Sequence, residues 1–264
     1  MRICVLGSGS KGNVTYIEGN NTRILIDAGL TCCDIENRLM QIGINPATIN
    51  AILVTHEHSD HIKGLGSFAR KFGTNIYTHN DTWGVLDNKI GNVKDSQKIE
   101  IFNNDFFINE LTINSFPVDH DAVHCLGYSV ICNQNKVSVA TDLGHTTDNI
   151  IRNMMDSSLV VLESNHDVKT LLNNPSYPLR LKNRILSNNG HLSNDASSDA
   201  ISQMLGYGVR AVVLAHLSPE NNSPELALTT LKNRLDLEGA DWGKELHLDL
   251  GHQEKIGNMY KLKE

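Results

Sequence analysis

Four side chains able to bind a metal ion fall within six residues: His56, His58, Asp60 and His61, in the run Thr55-His56-Glu57-His58-Ser59-Asp60-His61. Histidines at i and i+2 on an extended chain point to the same side, so His56 and His58 can share one ion. Asp60 and His61 follow where the chain turns toward a helix, and can face a second ion. Imidazole mixed with carboxylate suits Zn(II), Mn(II) or Fe(II) better than Ca(II) or Mg(II). The spacing is not H-E-x-x-H, because the residue four after His56 is Asp60. Structural zinc favours Cys and closed sites. The chemistry this cluster offers is metal-assisted hydrolysis.

Four ligands are too few for two ions, so further ones are expected at the ends of other strands. His120 follows an apolar run ending at Val118, Asp142 follows the run 137–140, and His216 follows Ala211–Ala215. Each is a strand tip followed by a loop, as His56 is. Alone, each is more often structural than a ligand; together they make a coherent set.

The elements that must position these residues can be read coarsely. Strands are expected at 2–6, 14–18, 23–27 and 51–54. Ile35, Leu39 and Ile42 recur at helical spacing behind Thr31, a helix-capping residue. A second helix is expected over 62–72, closed by Gly73. Five short β-rich runs, 98–102, 106–108, 111–118, 126–132 and 137–140, contain no helical pattern and predict antiparallel pairing. After them helices at 148–155, 194–205 and 224–235 alternate with strands at 159–162, 211–215 and 245–250. This is an α/β pattern of mixed sheets with helices packed outside. No repeat, low-complexity tract or linker divides it, so residues 1–264 are expected to form a single domain.

Composition bounds the function. The chain has 264 residues, with 23 Lys and Arg against 30 Asp and Glu, a formal charge of −7. A globally basic surface is excluded. Nucleic acid stays open, because metals or a local basic patch can attract it. No apolar run approaches the ~18 residues of a membrane helix, and the stretch 1–6 is too short for a secretion signal. The five Cys form no C-x-x-C pair. These features predict reduced thiols and a cytoplasmic protein without membrane insertion. Gly7-Ser8-Gly9-Ser10-Lys11-Gly12 matches a dinucleotide fingerprint, but strand-like residues follow it where that fingerprint needs a helix. It reads as a tight turn.

Taken together, Thr55–His61, His120, Asp142 and His216 resemble the metallo-β-lactamase fold hydrolases. Within them the chain is similar to the YycJ/WalJ (VicX) subfamily. The residues carrying that likeness include Ser8-Gly9-Ser10-Lys11-Gly12-Asn13, Asp27-Ala28-Gly29, His120-Asp121-Ala122, Glu163-Ser164-Asn165-His166-Asp167, Gly190-His191-Leu192-Ser193-Asn194 and Ala215-His216-Leu217-Ser218. The resemblance implies a four-layer αββα sandwich with two divalent transition-metal ions. His56, His58 and His120 would hold one, Asp60, His61 and His216 the other, with Asp142 bridging. It further implies a metal-dependent 5′→3′ exonuclease acting on DNA, in a subfamily whose genes often adjoin a cell-wall two-component system. Cys32-Cys33 and His124-Cys125 depart from its motifs but lie off the ligand set.

On this reading a hydroxide shared by the two ions attacks phosphorus, and Asp60 helps orient it. By resemblance, His191 assists at the phosphate and leaving group; a metal ligand is the alternative. Substrate-binding candidates are Lys11, Asn165, His166, Arg180 and Arg184. The two Arg would share a helix face against single-stranded DNA. Plainer readings are a turn lysine, a helix cap and a solvated helix face. Two other functions compete: a thioester or lactone hydrolase of the glyoxalase II kind, and a regulatory protein of the two-component pathway. Native metal, DNA against RNA, and oligomeric state are left open by the sequence.

Overall fold

The protein is described by a computed structural model that covers residues 1–102, 104–243 and 246–262. The first half runs β1 (Arg2–Gly7), β2 (Val14–Glu18), β3 (Arg23–Ile26), α1 (Cys32–Gln41), β4 (Ala51–Leu53), α2 (Ser59–Ile62), α3 (Leu65–Phe72), β5 (Asn75–His79), α4 (Asn80–Ile90) and β6 (Lys98–Ile101). The second runs β7 (Asp105–Ile108), β8 (Leu111–Pro117), β9 (Leu126–Cys132), β10 (Asn135–Ala140), α5 (Asp148–Met154), β11 (Leu159–Glu163), α6 (Val168–Asn173), α7 (Leu179–Ile185), α8 (Asn194–Gln203), β12 (Ala211–Ala215), α9 (Pro224–Leu237), β13 (His247–Leu250) and β14 (Tyr260–Lys261). The expected strand at 245–250 is present from His247, and Glu245 lies outside the described residues.

Two seven-stranded sheets result, ordered β14-β1-β2-β3-β4-β5-β6 and β13-β12-β11-β10-β9-β8-β7. Alternate side chains of each sheet meet in the middle. Val5, Ile17, Ile24 and Leu53 from one pack with Val130, Val137, Val161 and Val213 from the other. The opposite faces are covered by helices: Ile35, Leu39 and Phe68 on the first sheet, Ile150, Ile201 and Leu231 on the second. Both sheets are buried on both sides, so the central parallel strands read as unbroken apolar runs. This is the expected αββα sandwich of mixed sheets.

Three local readings differ. The segment 62–72 is not one helix: α2 ends at Ile62 and α3 starts at Leu65, hinged at Gly64, where a Cβ would come within 2.3 Å of Leu30 O. β6 pairs in parallel with β5 in the first sheet, so it is not part of the antiparallel group, which is β7 to β10. β5 and α4 were not legible, because Asn75–His79 is short and Gly84 interrupts the helical pattern of Asn80–Ile90. The glycine-rich turn leads into β2, as its strand-like followers require. Thr31 caps α1, its side chain accepting from Asp34 N.

Candidate metal centre

The chain threads its chemistry-bearing residues out of strand ends on one edge of the sandwich. β4 delivers His56 in an extended loop, His58 stands at the N-terminal boundary of α2 without capping it, and Asp60 and His61 occupy that helix. β8 leads to His120. β10, β11 and β12 are parallel neighbours in register, Ala140 opposite Leu162 and Glu163 opposite Ala215. Their tips therefore set Asp142, Glu163 and His216 side by side. Asp27, Asp142 and His216 adopt left-handed backbone angles, with φ of 60°, 57° and 55°. Such angles are costly outside glycine and collect where function fixes a side chain's direction.

The seven expected residues converge. His56, His58 and His120 have ligand atoms within 4.8 Å of one another, as do Asp60, His61 and His216. Asp142 lies between the groups: its Oδ2 is 2.8 Å from His61 Nε2 and its Oδ1 is 3.8 Å from His120 Nε2. Asp60 Oδ2 sits 3.5 Å from Nε2 of both His61 and His216. These are carboxylate oxygens and imidazole nitrogens aimed at common points.

The donor set fits divalent cations on its own terms. His56 Nε2 and His216 Nε2 are buried and make no hydrogen bond, a costly state unless something else occupies their lone pairs. The other ring nitrogen of several histidines is committed. Asp27 Oδ2 accepts from His61 Nδ1 at 2.7 Å, Glu163 Oε1 from His216 Nδ1 at 2.8 Å, and Gly190 O from His120 Nδ1 at 3.0 Å. Each fixes the ring through Nδ1 and directs Nε2 inward, the arrangement by which outer partners orient metal-binding imidazoles.

Electrostatics follow the burial. Burial pushes His56 and His120 below the usual imidazole range, keeping them neutral and ready to donate a lone pair. Burial also works to lower His61 and His216, but Asp27 and Asp142 outweigh it at His61, and Asp142, Asp60 and Glu163 at His216, raising both well above that range. In Asp142, burial is overcome by His216 and His61, which hold the carboxyl well below its ordinary value. Without an ion these carboxylates hold protons on His61 and His216, which a bound divalent cation would displace as it took their place.

Two carboxylates escaped the sequence reading as site residues. Asp27 supports His61 and also accepts from Thr55 N at 2.8 Å. Glu163 is fully buried; its Oε1 lies 2.8 Å from Nδ1 of both His191 and His216, and its Oε2 accepts from Leu143 N and Leu192 N. Burial raises the Glu163 pKa, but the charge of His191 and the hydrogen bonds to His191 and His216 prevail and hold it at about 2. The signal was available: each ends an apolar strand, as Asp142 does.

His191 adjoins the donor groups, with a ligand atom within 4.8 Å of those of Asp142, Glu163 and His216; it is one quarter exposed, in the wall of a pocket of about 190 Å³ that reaches His120 and His216. Burial lowers its pKa and Glu163 and Asp142 raise it, with a net rise. Of the substrate-binding candidates, Asn165 and Arg184 reach this pocket. Asn165 Nδ2 donates to His216 O at 2.9 Å. The Arg184 fork is taken up by Asp121, at 2.8 Å from both Nε and the terminal nitrogen. Lys11 is solvent-exposed and pairs with Glu254 at 3.3 Å. Arg180 is exposed and off the pocket wall. His166 is 1% exposed, with neither ring nitrogen hydrogen-bonded.

Comparisons with known proteins place the chain in a family. The sequence pattern of the beta-lactamase superfamily domain matches residues 22–217. The chain is 40% identical over 235 residues to an exodeoxyribonuclease WalJ of Streptococcus pneumoniae, covering 88% of this chain and 87% of the relative. It is 36% identical over 250 residues to an exodeoxyribonuclease YycJ of Bacillus anthracis, covering 94% of each. Among solved structures, the metallo-β-lactamase fold protein YhfI of Bacillus subtilis superposes with a TM-score of 0.74 at 16% identity, over 98% of this chain and 99% of YhfI.

Proposed function

Because the chain belongs to the metallo-β-lactamase superfamily, and within it to the WalJ/YycJ group, we propose that it is a metal-dependent phosphodiesterase, a 5′→3′ exonuclease on single-stranded DNA. The observation that carries this reading is the coupling of a two-group donor cage to His191 through Glu163, beside an open pocket. We further propose that the whole chain acts as one hydrolase domain, in the cytoplasm; no described helix is long and apolar enough to cross a membrane.

His56, His58 and His120 would hold one divalent ion and Asp60, His61 and His216 a second, with Asp142 contributing to both. Such a pair, zinc or manganese by donor type, lowers the pKa of water toward ~7 and offsets charge on the phosphate. The chain's own residues do the rest. Asp60, a carboxylate at this edge, accepts a hydrogen bond from the attacking water and orients it. Glu163 fixes the His191 ring by accepting from Nδ1 and stabilises its protonated form. His191 Nε2 then donates a proton to the departing sugar oxygen. Asp27 keeps His61 in the tautomer whose Nε2 faces inward. A thioester carries a leaving group that needs no such proton, so the Glu163–His191 pair favours the phosphodiester.

The test is direct. Purified protein with Mn(II) should release mononucleotides from a 5′-phosphorylated single strand, and a chelator should stop it. Rapid thioester turnover with no nucleotide release under Zn(II), Mn(II) or Fe(II) would overturn the proposal.

A further inference from the structure

α7 is a helix without a buried residue. Helices of this length hold their place by packing an apolar face, and α7 has such a face. Tyr177 just before it, then Leu181 and Ile185, recur at a spacing of four and so lie along one side. That side does not rest on the sandwich; it forms a wall of the pocket that contains His191. Tyr177 is half-buried and lines this pocket together with Glu220 and Asn221 of the loop after β12, which sets its ring at the pocket's edge.

We infer that this pocket seats the unpaired terminal nucleoside of the strand, on the leaving-group side of the scissile phosphate, with Tyr177 as its stacking platform and Leu181 and Ile185 as its apolar wall. The inference rests on the nuclease reading above and names a subsite for it. The chemistry of the lining selects a base rather than a phosphate. Arg184 is already paired with Asp121, and Glu220 would repel an anion. The exposed amide of Asn189, and the Asn165 valences left after its bond to His216 O, offer donors and acceptors without charge, as the edge of a nucleobase requires. At about 190 Å³ the pocket is smaller than the ~300–1,000 Å³ of drug-sized sites, so it takes one ring system and no base pair. The position follows from His191: a histidine that protonates the departing oxygen must adjoin the nucleoside carrying that oxygen. In 5′→3′ digestion that nucleoside is the first of the strand.

The experiment removes the platform and the base separately. kcat/KM for the first cleavage is measured with Mn(II)-loaded protein on a 5′-phosphorylated oligodeoxynucleotide, and on the same strand with a tetrahydrofuran abasic unit as its first nucleotide. The wild-type protein should cleave the abasic-ended strand about 5- to 150-fold more slowly, the range that base–aromatic stacking supplies. Tyr177→Ala should lose a similar factor on the normal strand and then distinguish the two strands by less than about twofold. Tyr177→Phe, which keeps the ring, should retain the discrimination. Equal wild-type rates on both strands, or an equal loss on both with Tyr177→Ala, would overturn the subsite and leave the nuclease reading standing. Failure of the wild-type protein to cleave either strand would overturn the nuclease reading, and the subsite with it.

Discussion

The Nδ1 of His191 lies 2.8 Å from Oε1 of Glu163. The same carboxylate oxygen lies 2.8 Å from His216 Nδ1, so one buried group serves both the proposed proton donor and a proposed metal ligand. Glu163→Gln is nearly isosteric but carries no charge, and its amide can accept only through its one oxygen. Turnover should fall by about 10²–10⁴-fold, the range expected for general acid catalysis, with some metal lost as well. A fall below about threefold would show that the two histidines do not depend on it.

His191→Ala separates the two roles. Turnover on a 5′-phosphorylated strand should fall by about 10²–10⁴-fold, while bound metal, measured by elemental analysis, stays at the wild-type stoichiometry. Loss of one equivalent would make His191 a ligand.

Asp142 lies between both donor groups, and its left-handed backbone suits asparagine. Asp142→Asn should therefore keep the fold, with a thermal midpoint near wild type, and bind fewer than two metal equivalents. Its activity should drop at least about 100-fold, more than loss of an outer-sphere partner brings. Full metal occupancy in this variant would remove Asp142 from its proposed position.

Much of this centre was legible because its residues are dense or mark strand ends. The 56–61 run concentrates four donors, and His120, Asp142 and His216 each follow an apolar run. The supporting carboxylates were less visible. Asp27 and Glu163 stand at strand ends too, but their supporting roles come from partners 34 and 28 residues away that folding brings within hydrogen-bond reach. The proposed DNA grip of Arg180 and Arg184 rested on helical spacing alone, and the spacing could not reveal that Asp121, 63 residues before Arg184, claims the latter's guanidinium. In the fold, the parallel pairing of β6 was hidden because strand patterns carry no direction. The break at Gly64 was hidden because its cause is a close approach to Leu30.

Gly29 shows how tightly that packing holds the metal-binding loop. A Cβ there would stand 1.6 Å from Asp60 O, so the loop must move to admit one. Gly29→Ala should destabilise the protein by at least ~1–3 kcal/mol, the cost of overpacking, and reduce metal binding at the Asp60 side. Chemical denaturation and metal titration measure the two effects. A variant with wild-type stability would contradict the contact.

His166 predicts the response to acid. Burial pushes its pKa down to about 4, below the ~6.5 of an exposed imidazole. The unfolded chain therefore binds a proton that the folded one refuses, and stability falls as pH drops from ~6.5 toward about 4. The loss through this one group reaches about 3 kcal/mol at the lower end. Replacing it with leucine (His166→Leu) should flatten that part of the profile. Urea midpoints at pH 7.5 and 4.5 that shift equally in both proteins would contradict it.

The most direct test of the centre is anomalous diffraction from crystals soaked in Mn(II). Two peaks should appear about 3.5–4 Å apart, one against His56, His58 and His120 and the other against Asp60, His61 and His216, with Asp142 between them. Density at neither place, or ions bound only elsewhere on the molecule, would contradict the account.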